Sequence, residues 1–237
     1  MPALNGFAFS DLKVSRQRKF NNKSIRGIIL SEKADFQSRL DLFERINTGS
    51  KNANFAEVRR AALSGPFMQM IISLSTENEI VALLPASKKR EDEREREELI
   101  TRFFAYGDGL DDYSDKPKSF LYNYIKKMNI EFEKNTTLES RYIKRIKRVF
   151  KFIKDNFPYG FKKSPTASTI PRVRFESLAI GAYLALNKEP KLKPSKKLIE
   201  ALLNDSRFKA EIRSDGANVK SKLLGRITIT RDILLGG

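Results

Sequence analysis

Residues 43–61, FERINTGSKNANFAEVRRA, are crowded with groups suited to binding an anion. Arg45 and Arg59 carry forked guanidinium donors that match phosphate oxygens. Between them Asn47, Thr48, Gly49 and Ser50 offer side-chain and backbone donors, and a helix beginning near Phe55 would present free N–H groups at its start. The same residues also suit a plain helix corner. Asn47 and Gly49 tolerate left-handed backbone, so they fit a chain reversal. Asn54 can cap the next helix with Glu57 three positions on, and Arg45, Glu57 and Arg59 can pair locally and set the angle between the helices. NTGS lacks the glycine spacing and the lysine of a phosphate-binding P-loop. The stretch is therefore either an anion site or a structural corner.

What else the chain can do is bounded by what it lacks. Its 237 residues include no histidine and no cysteine. That excludes disulfides, zinc fingers, thiolate nucleophiles, Ser-His-Asp triads and two-histidine metal sites. Catalysis in this chain would have to use Asp, Glu, Lys, Arg, Tyr, Ser or Thr. No metal site and no cofactor are expected. EFEK (131–134) has the Glu-x-Lys end of a metal nuclease site without its strand context, and Asp108, Asp111 and Asp112 read as an ordinary acidic loop.

Charge points outward. Lys and Arg number 46 against 29 Asp and Glu, a net charge of +17 that favours a polyanionic partner. The surplus is densest in LESRYIKRIKRVFKFIKDNF. There Tyr142, Ile146, Val149, Phe150, Ile153 and Phe157 form one helical face. Arg141, Lys144, Arg145, Lys147, Arg148, Lys151 and Lys154 occupy the other, with only Glu139 and Asp155 as acids along the segment. Either this is a solvated face over a core-facing stripe, or it tracks a phosphate backbone that relieves its self-repulsion.

The elements that must position these residues are mostly helices. SIRGIIL (24–30) is a plausible short strand. Phe36, Leu40, Phe43 and Ile46 share a helical face, FAEVRRAAL follows the polar loop, and Gly65-Pro66 breaks the chain. KKREDEREREELITRFFAY (88–106) reads as one helix, solvated in its charged first turns and buried through Leu99, Ile100, Phe103 and Phe104. FPYGFKKSPTASTIP is a loop, VRFESLAIGAYLAL a deeply buried helix, and PSKKLIEALLND a helix capped by Ser195. At the C-terminus ITIT argues for strand while the surrounding pattern fits helix. The expectation is a mainly α, multi-helix bundle with at most a short β element near the N-terminus. It divides into a mixed segment 1–33, a helical region 34–157 and a C-terminal helical region 158–237 packed on it. No apolar run approaches the roughly 20 residues of a membrane span. No signal peptide is visible, and a cytoplasmic protein without membrane association is expected.

The 43–61 stretch resembles a large bacterial family, domain of unknown function 262, the ParB-like family of GmrSD-type restriction systems. The family pattern runs F-E-R-I-N-T-G-G-x-x-L-x-x-x-E-I-R-x-A. This chain matches it without a gap at Phe43, Arg45, Ile46, Asn47, Thr48, Gly49, Glu57, Val58, Arg59 and Ala61. It departs at Ser50, usually a second glycine, and at Ala53, usually leucine. Arg94, Glu97 or Glu98, Arg102, Phe103 and Ala105 are similar to the family's R-x-x-E-x-x-x-R-F-x-A segment. The family's D-G-Q-Q-R motif, tied to nucleotide hydrolysis, does not occur. A histidine-metal nuclease domain of the kind some members carry is impossible here. The resemblance implies the helical C-terminal half of a restriction or anti-phage defence protein. It would bind nucleic acid, with DNA the expected form, and work with a D-G-Q-Q-R partner chain. In the whole protein the family implies NTPase or nuclease activity; for this chain alone no catalytic residue is assigned. Two alternatives remain: an autonomous nuclease or NTPase using carboxylates, and a protein-interaction module.

Overall fold

A computed structural model describes residues 6–24, 55–213 and 215–237. It separates into two units, Met1–Ile46 and Asn47–Gly237. The first unit's described part is a single 3-10 turn, Phe9–Asp11, followed by helix α1, Val14–Asn21. Gln17 joins them by donating to the Leu12 carbonyl at 2.8 Å, and the Phe9 and Phe20 rings lie 5.4 Å apart. The predicted strand, the helix around Leu40, the polar loop with Arg45, Asn47, Thr48 and Gly49, and the Asn54 cap fall outside the described residues.

The second unit is helical throughout, with no strand among the described residues. In chain order its helices are α2 (Phe55–Ala62), α3 (Pro66–Thr76), α4 (Asn78–Leu83), α5 (Lys88–Asp92), α6 (Glu95–Asp108), α7 (Pro117–Lys134), α8 (Thr137–Asn156), α9 (Arg172–Lys188), α10 (Lys196–Asn204), α11 (Ser206–Glu211) and α12 (Lys220–Leu234). The mainly α expectation holds. The ITIT ambiguity resolves to helix, because Ile227 and Thr230 both turn inward against α9. Two sequence signals act as read. Pro66 opens α3, where its missing N–H costs nothing, and Ser195 Oγ accepts from the Leu198 N–H at 3.2 Å.

One element differs from its prediction. The charged run from Lys88 is two helices, broken at Arg94, whose φ of 60° is left-handed. Lys88 and Lys89 are solvated as expected, but Glu95, Glu97 and Glu98 are buried. Their arginine partners come from α2, α6 itself and α9, which no local pattern reveals.

Helix α9 is buried almost all round, packed by α6, α8 and α12. Its closest neighbour is α12, because α9 presents small residues there. Ser177 Oγ lies 2.8 Å from Thr230 Oγ1 and donates to the Arg226 carbonyl. A Cβ added at Gly181 would lie 2.6 Å from Thr230 Cβ and 2.9 Å from the Ile227 carbonyl oxygen. Alanine is the better helix former, yet Gly181→Ala should destabilise by about 1–3 kcal/mol, since the obstructing backbone carbonyl cannot rotate away. Urea denaturation measures this; a stability gain would show that the two helices are not so close.

A Phe67 cluster holds α3, α6, α7 and α8 together: its ring meets Phe104, Phe132 and Tyr142 edge-on at 5.9, 5.1 and 6.0 Å. Asn129 of α7 accepts from the Met68 N–H and donates to the Leu63 carbonyl, both at 3.2 Å, so it ties down the break before α3. Residue 65 is glycine because a Cβ there would sit 2.4 Å from Asn129 Cγ. No helix of the described residues is long and apolar enough to cross a membrane.

Candidate functional site

Two concave, charged regions stand out in the second unit. The first lies along α8, the basic helix. Its apolar stripe is placed as its sequence requires: Tyr142, Ile146, Val149, Phe150 and Ile153 are buried, as is Phe157 just beyond the helix end. The predicted cationic stripe is not one surface, however. Toward the C-terminal end, Lys147 pairs with Glu77 at 2.8 Å and Lys151 with Asp155 at 2.7 Å. That portion faces the acids at the start of α4, Glu77 and Glu79, which also line a small hollow there.

The N-terminal half of α8 differs. Arg141, Lys144, Arg145 and Arg148 line a hollow of about 320 Å³ with Tyr142, Tyr183 and Asn187, and no carboxylate among the described residues lines it. Its floor is built rather than loose. Arg145 lies over the Tyr142 and Tyr183 rings, its guanidinium carbon 4.5 and 4.6 Å from their centroids, and pairs with Asp108. Asp108 also accepts from the Tyr124 and Tyr142 hydroxyls. Burial, together with that bond to Asp108, pushes the Tyr142 phenol up to about 12. Arg145 Nη1 is buried with no hydrogen-bond partner among the described residues. Arg148 donates to the Leu186 and Pro190 carbonyls at 2.9 and 3.1 Å, closing the end of α9. Arg141 and Lys144 stand exposed at the rim. Thus of the six residues predicted to bind nucleic acid, four share this hollow, and Lys147 and Lys151 lie apart, beside acids. Sequence separation hid this, since Asp108 and Glu77 come from α6 and the turn before α4.

The second region surrounds Arg59. The predicted local network of Arg45, Glu57 and Arg59 has Arg45 outside the described residues. Glu57 sits half-buried on α2, and Arg59 is buried against Glu98 of α6. From there a chain of buried charges crosses the unit. Arg102 donates to Glu98 at 2.7 Å and to Glu176 at 2.6 Å, and Arg226 donates to the other oxygen of Glu176 at 2.8 Å. Glu176 and Arg226 are each 1% exposed. Beside them Arg172 grips Glu95 through two bonds of 2.8 and 2.5 Å, and Arg60 pairs with Glu97 at 2.6 Å. Burial by itself would raise the Glu98 carboxyl, but Arg59, Arg102 and Arg172 overcome it and hold the group at about 2. Burial wins at Glu97, which is pushed up.

This network opens into a cavity of about 630 Å³. Sequence reasoning found Arg59 and the Arg94–Ala105 segment but missed Glu176 and Arg226. Both sit in helices that otherwise read as core. The only signal was a charge inside a nearly continuous apolar run, Glu176 within VRFESLAIGAYLAL.

Comparison with protein-family models, with curated proteins and with solved structures finds no match for this chain.

Proposed function

We propose that this chain is the helical, nucleic-acid-binding part of a bacterial restriction or anti-phage defence protein. It acts with a ParB-like, nucleotide-hydrolysing half whose D-G-Q-Q-R motif these residues do not contain. The defence association is supported by the resemblance of 43–61 and of Arg94–Ala105 to family 262. The nucleic-acid reading is supported chiefly by one observation, the hollow of Arg141, Lys144, Arg145 and Arg148, which no carboxylate among the described residues lines, on a chain of net charge +17. Arg145 and Arg148 shape the hollow and spend hydrogen bonds internally; Arg141 and Lys144 meet the phosphates. Tyr183, held against Arg145, supplies an aromatic face beside them.

The test is double-stranded DNA binding by fluorescence anisotropy across a salt series. Arg141→Glu with Lys144→Glu removes two phosphate contacts. It should flatten the slope of log K against log salt by about 2 and weaken binding about thirtyfold near physiological salt. Lys147→Glu with Lys151→Glu should change affinity far less, because those lysines already face acids. Equal effects from the two pairs would return the site to an undifferentiated stripe. No salt-dependent DNA binding at all would favour the protein-interaction module.

A further inference from the structure

The described part of the first unit is a hook with no interior of its own. None of residues 6–24 is buried, and α1 has only eight residues, short of the roughly 12–15 at which an isolated helix becomes even marginal in water. Local bonds hold its shape. Asp11 accepts from the Ala8 N–H at 2.8 Å, and Gln17 donates to the Leu12 and Ser10 carbonyls at 2.8 and 3.2 Å. That shape keeps large apolar side chains outside. Phe7 is 58% exposed, Phe9 45%, Val14 62% and Phe20 67%, and the Phe9 and Phe20 rings, 5.4 Å apart, form an outward aromatic pair. Cations alternate with these side chains along the segment: Lys13, Arg16, Arg18, Lys19 and Lys23 are all exposed. None of the five has a carboxylate partner among the described residues. The acid within the segment, Asp11, is spent on the Ala8 N–H.

The way rings and charges are mixed selects the occupant. A helix that lies on lipid separates its apolar and cationic residues onto opposite faces. A helix seated in a protein groove repeats its anchors at i, i+3, i+4 and i+7. Helix α1 does neither. At about 100° per residue, Val14 and Phe20 lie about 120° apart, with Arg18 about 40° from the first and Arg16 about 40° from the second. Exposed rings mixed with unpaired cations suit a single-stranded nucleic acid, whose bases stack on the rings while its phosphates meet lysine and arginine. A duplex keeps its base faces inside its own stack and would offer this segment only phosphates.

We propose that residues 6–24 bind single-stranded nucleic acid, with Phe9 and Phe20 as the stacking platform and Arg16, Arg18 and Lys19 as phosphate contacts. This contact does not depend on the duplex binding assigned to the α8 hollow. The chain has no tryptophan, so Phe20→Trp, at an exposed position, places a lone indole in the platform whose fluorescence reads stacking directly. Oligothymidylate of about eight nucleotides, within the roughly 4–16 of a single-strand site, should quench it, and a blunt duplex should quench it far less. In that background Phe9→Ala should weaken the oligothymidylate affinity about tenfold. Arg16→Glu with Lys19→Glu should also weaken it about tenfold near physiological salt. Arg141→Glu with Lys144→Glu should leave the quenching unchanged, so a failure of the α8 reading in the anisotropy series would not touch this result. The proposal is overturned if oligothymidylate does not quench the indole, if the blunt duplex quenches it equally, or if Arg141→Glu with Lys144→Glu abolishes the quenching. It is also overturned if only vesicles containing phosphatidylglycerol shift the emission, which would give the segment to a lipid surface.

Discussion

Glu176→Gln should lower the unfolding free energy by about 3–5 kcal/mol, the cost of leaving buried charge uncompensated. Glu176 lies between Arg102 and Arg226, accepting from the first at 2.6 Å and from the second at 2.8 Å. Glutamine is nearly isosteric but neutral, and its amide end donates where the carboxylate accepted. One arginine would then face a donor, and Arg226 would lose the charge that balances it, while Arg102 keeps Glu98. Arg226 is 1% exposed on α12, where that helix packs against α9. Chemical denaturation reads the change, and Lys151→Ala serves as contrast: its pair with Asp155 is solvent-exposed and adds little stability. Replacing Glu176 and Arg226 together by methionine should recover part of the loss, because the uncompensated Arg226 charge is then gone and Arg102 keeps Glu98. A change below about 1 kcal/mol for Glu176→Gln alone would mean that water reaches the network.

The second large effect is acid destabilisation through Glu98. Its carboxyl sits at about 2 in the folded chain against an ordinary value of 4.5, because Arg59, Arg102 and Arg172 outweigh the upward push of burial. A folded value below the unfolded one means that the folded state resists protonation. The stability it confers is complete above about pH 5 and is lost as pH falls toward 2, about 3 kcal/mol in all. Glu97 works in the opposite sense. Burial raises its carboxyl, so it favours the fold at low pH and offsets part of that loss. Urea midpoints between about pH 5 and pH 2.5 should therefore drop steeply for the parent chain and much less for Glu98→Gln, which begins lower. Parallel curves for the two would remove Glu98 from the account.

Much of the architecture was legible in the residue pattern. The buried faces of α8 and α9, the Ser195 cap, the Gly65-Pro66 break and the loop from Phe157 to Pro171 follow from periodicity and turn chemistry, which act over a few residues. Such local rules fail where the partner is distant. Glu95, Glu97 and Glu98 look like a solvated acidic run in sequence, yet they are interior because arginines at 59, 60, 102 and 172 neutralise them. Arg145 looks like one more free cation on α8, yet it is locked over two tyrosine rings by Asp108, thirty-seven residues earlier.

By itself, the sequence determined that this is a helical chain with a large excess of positive charge and none of the histidine or cysteine chemistries. It also determined which apolar residues of α8 face inward. Only the tertiary structure decided which charges remain available: the hollow at the start of α8 keeps Arg141 and Lys144, while the other end of the helix loses its lysines to Glu77 and Asp155. Hydrophobic periodicity is a property of one segment and can be read from it. Compensation of charge depends on which segments the fold brings within a few ångströms of each other, and Coulomb attraction over that distance takes no account of sequence separation.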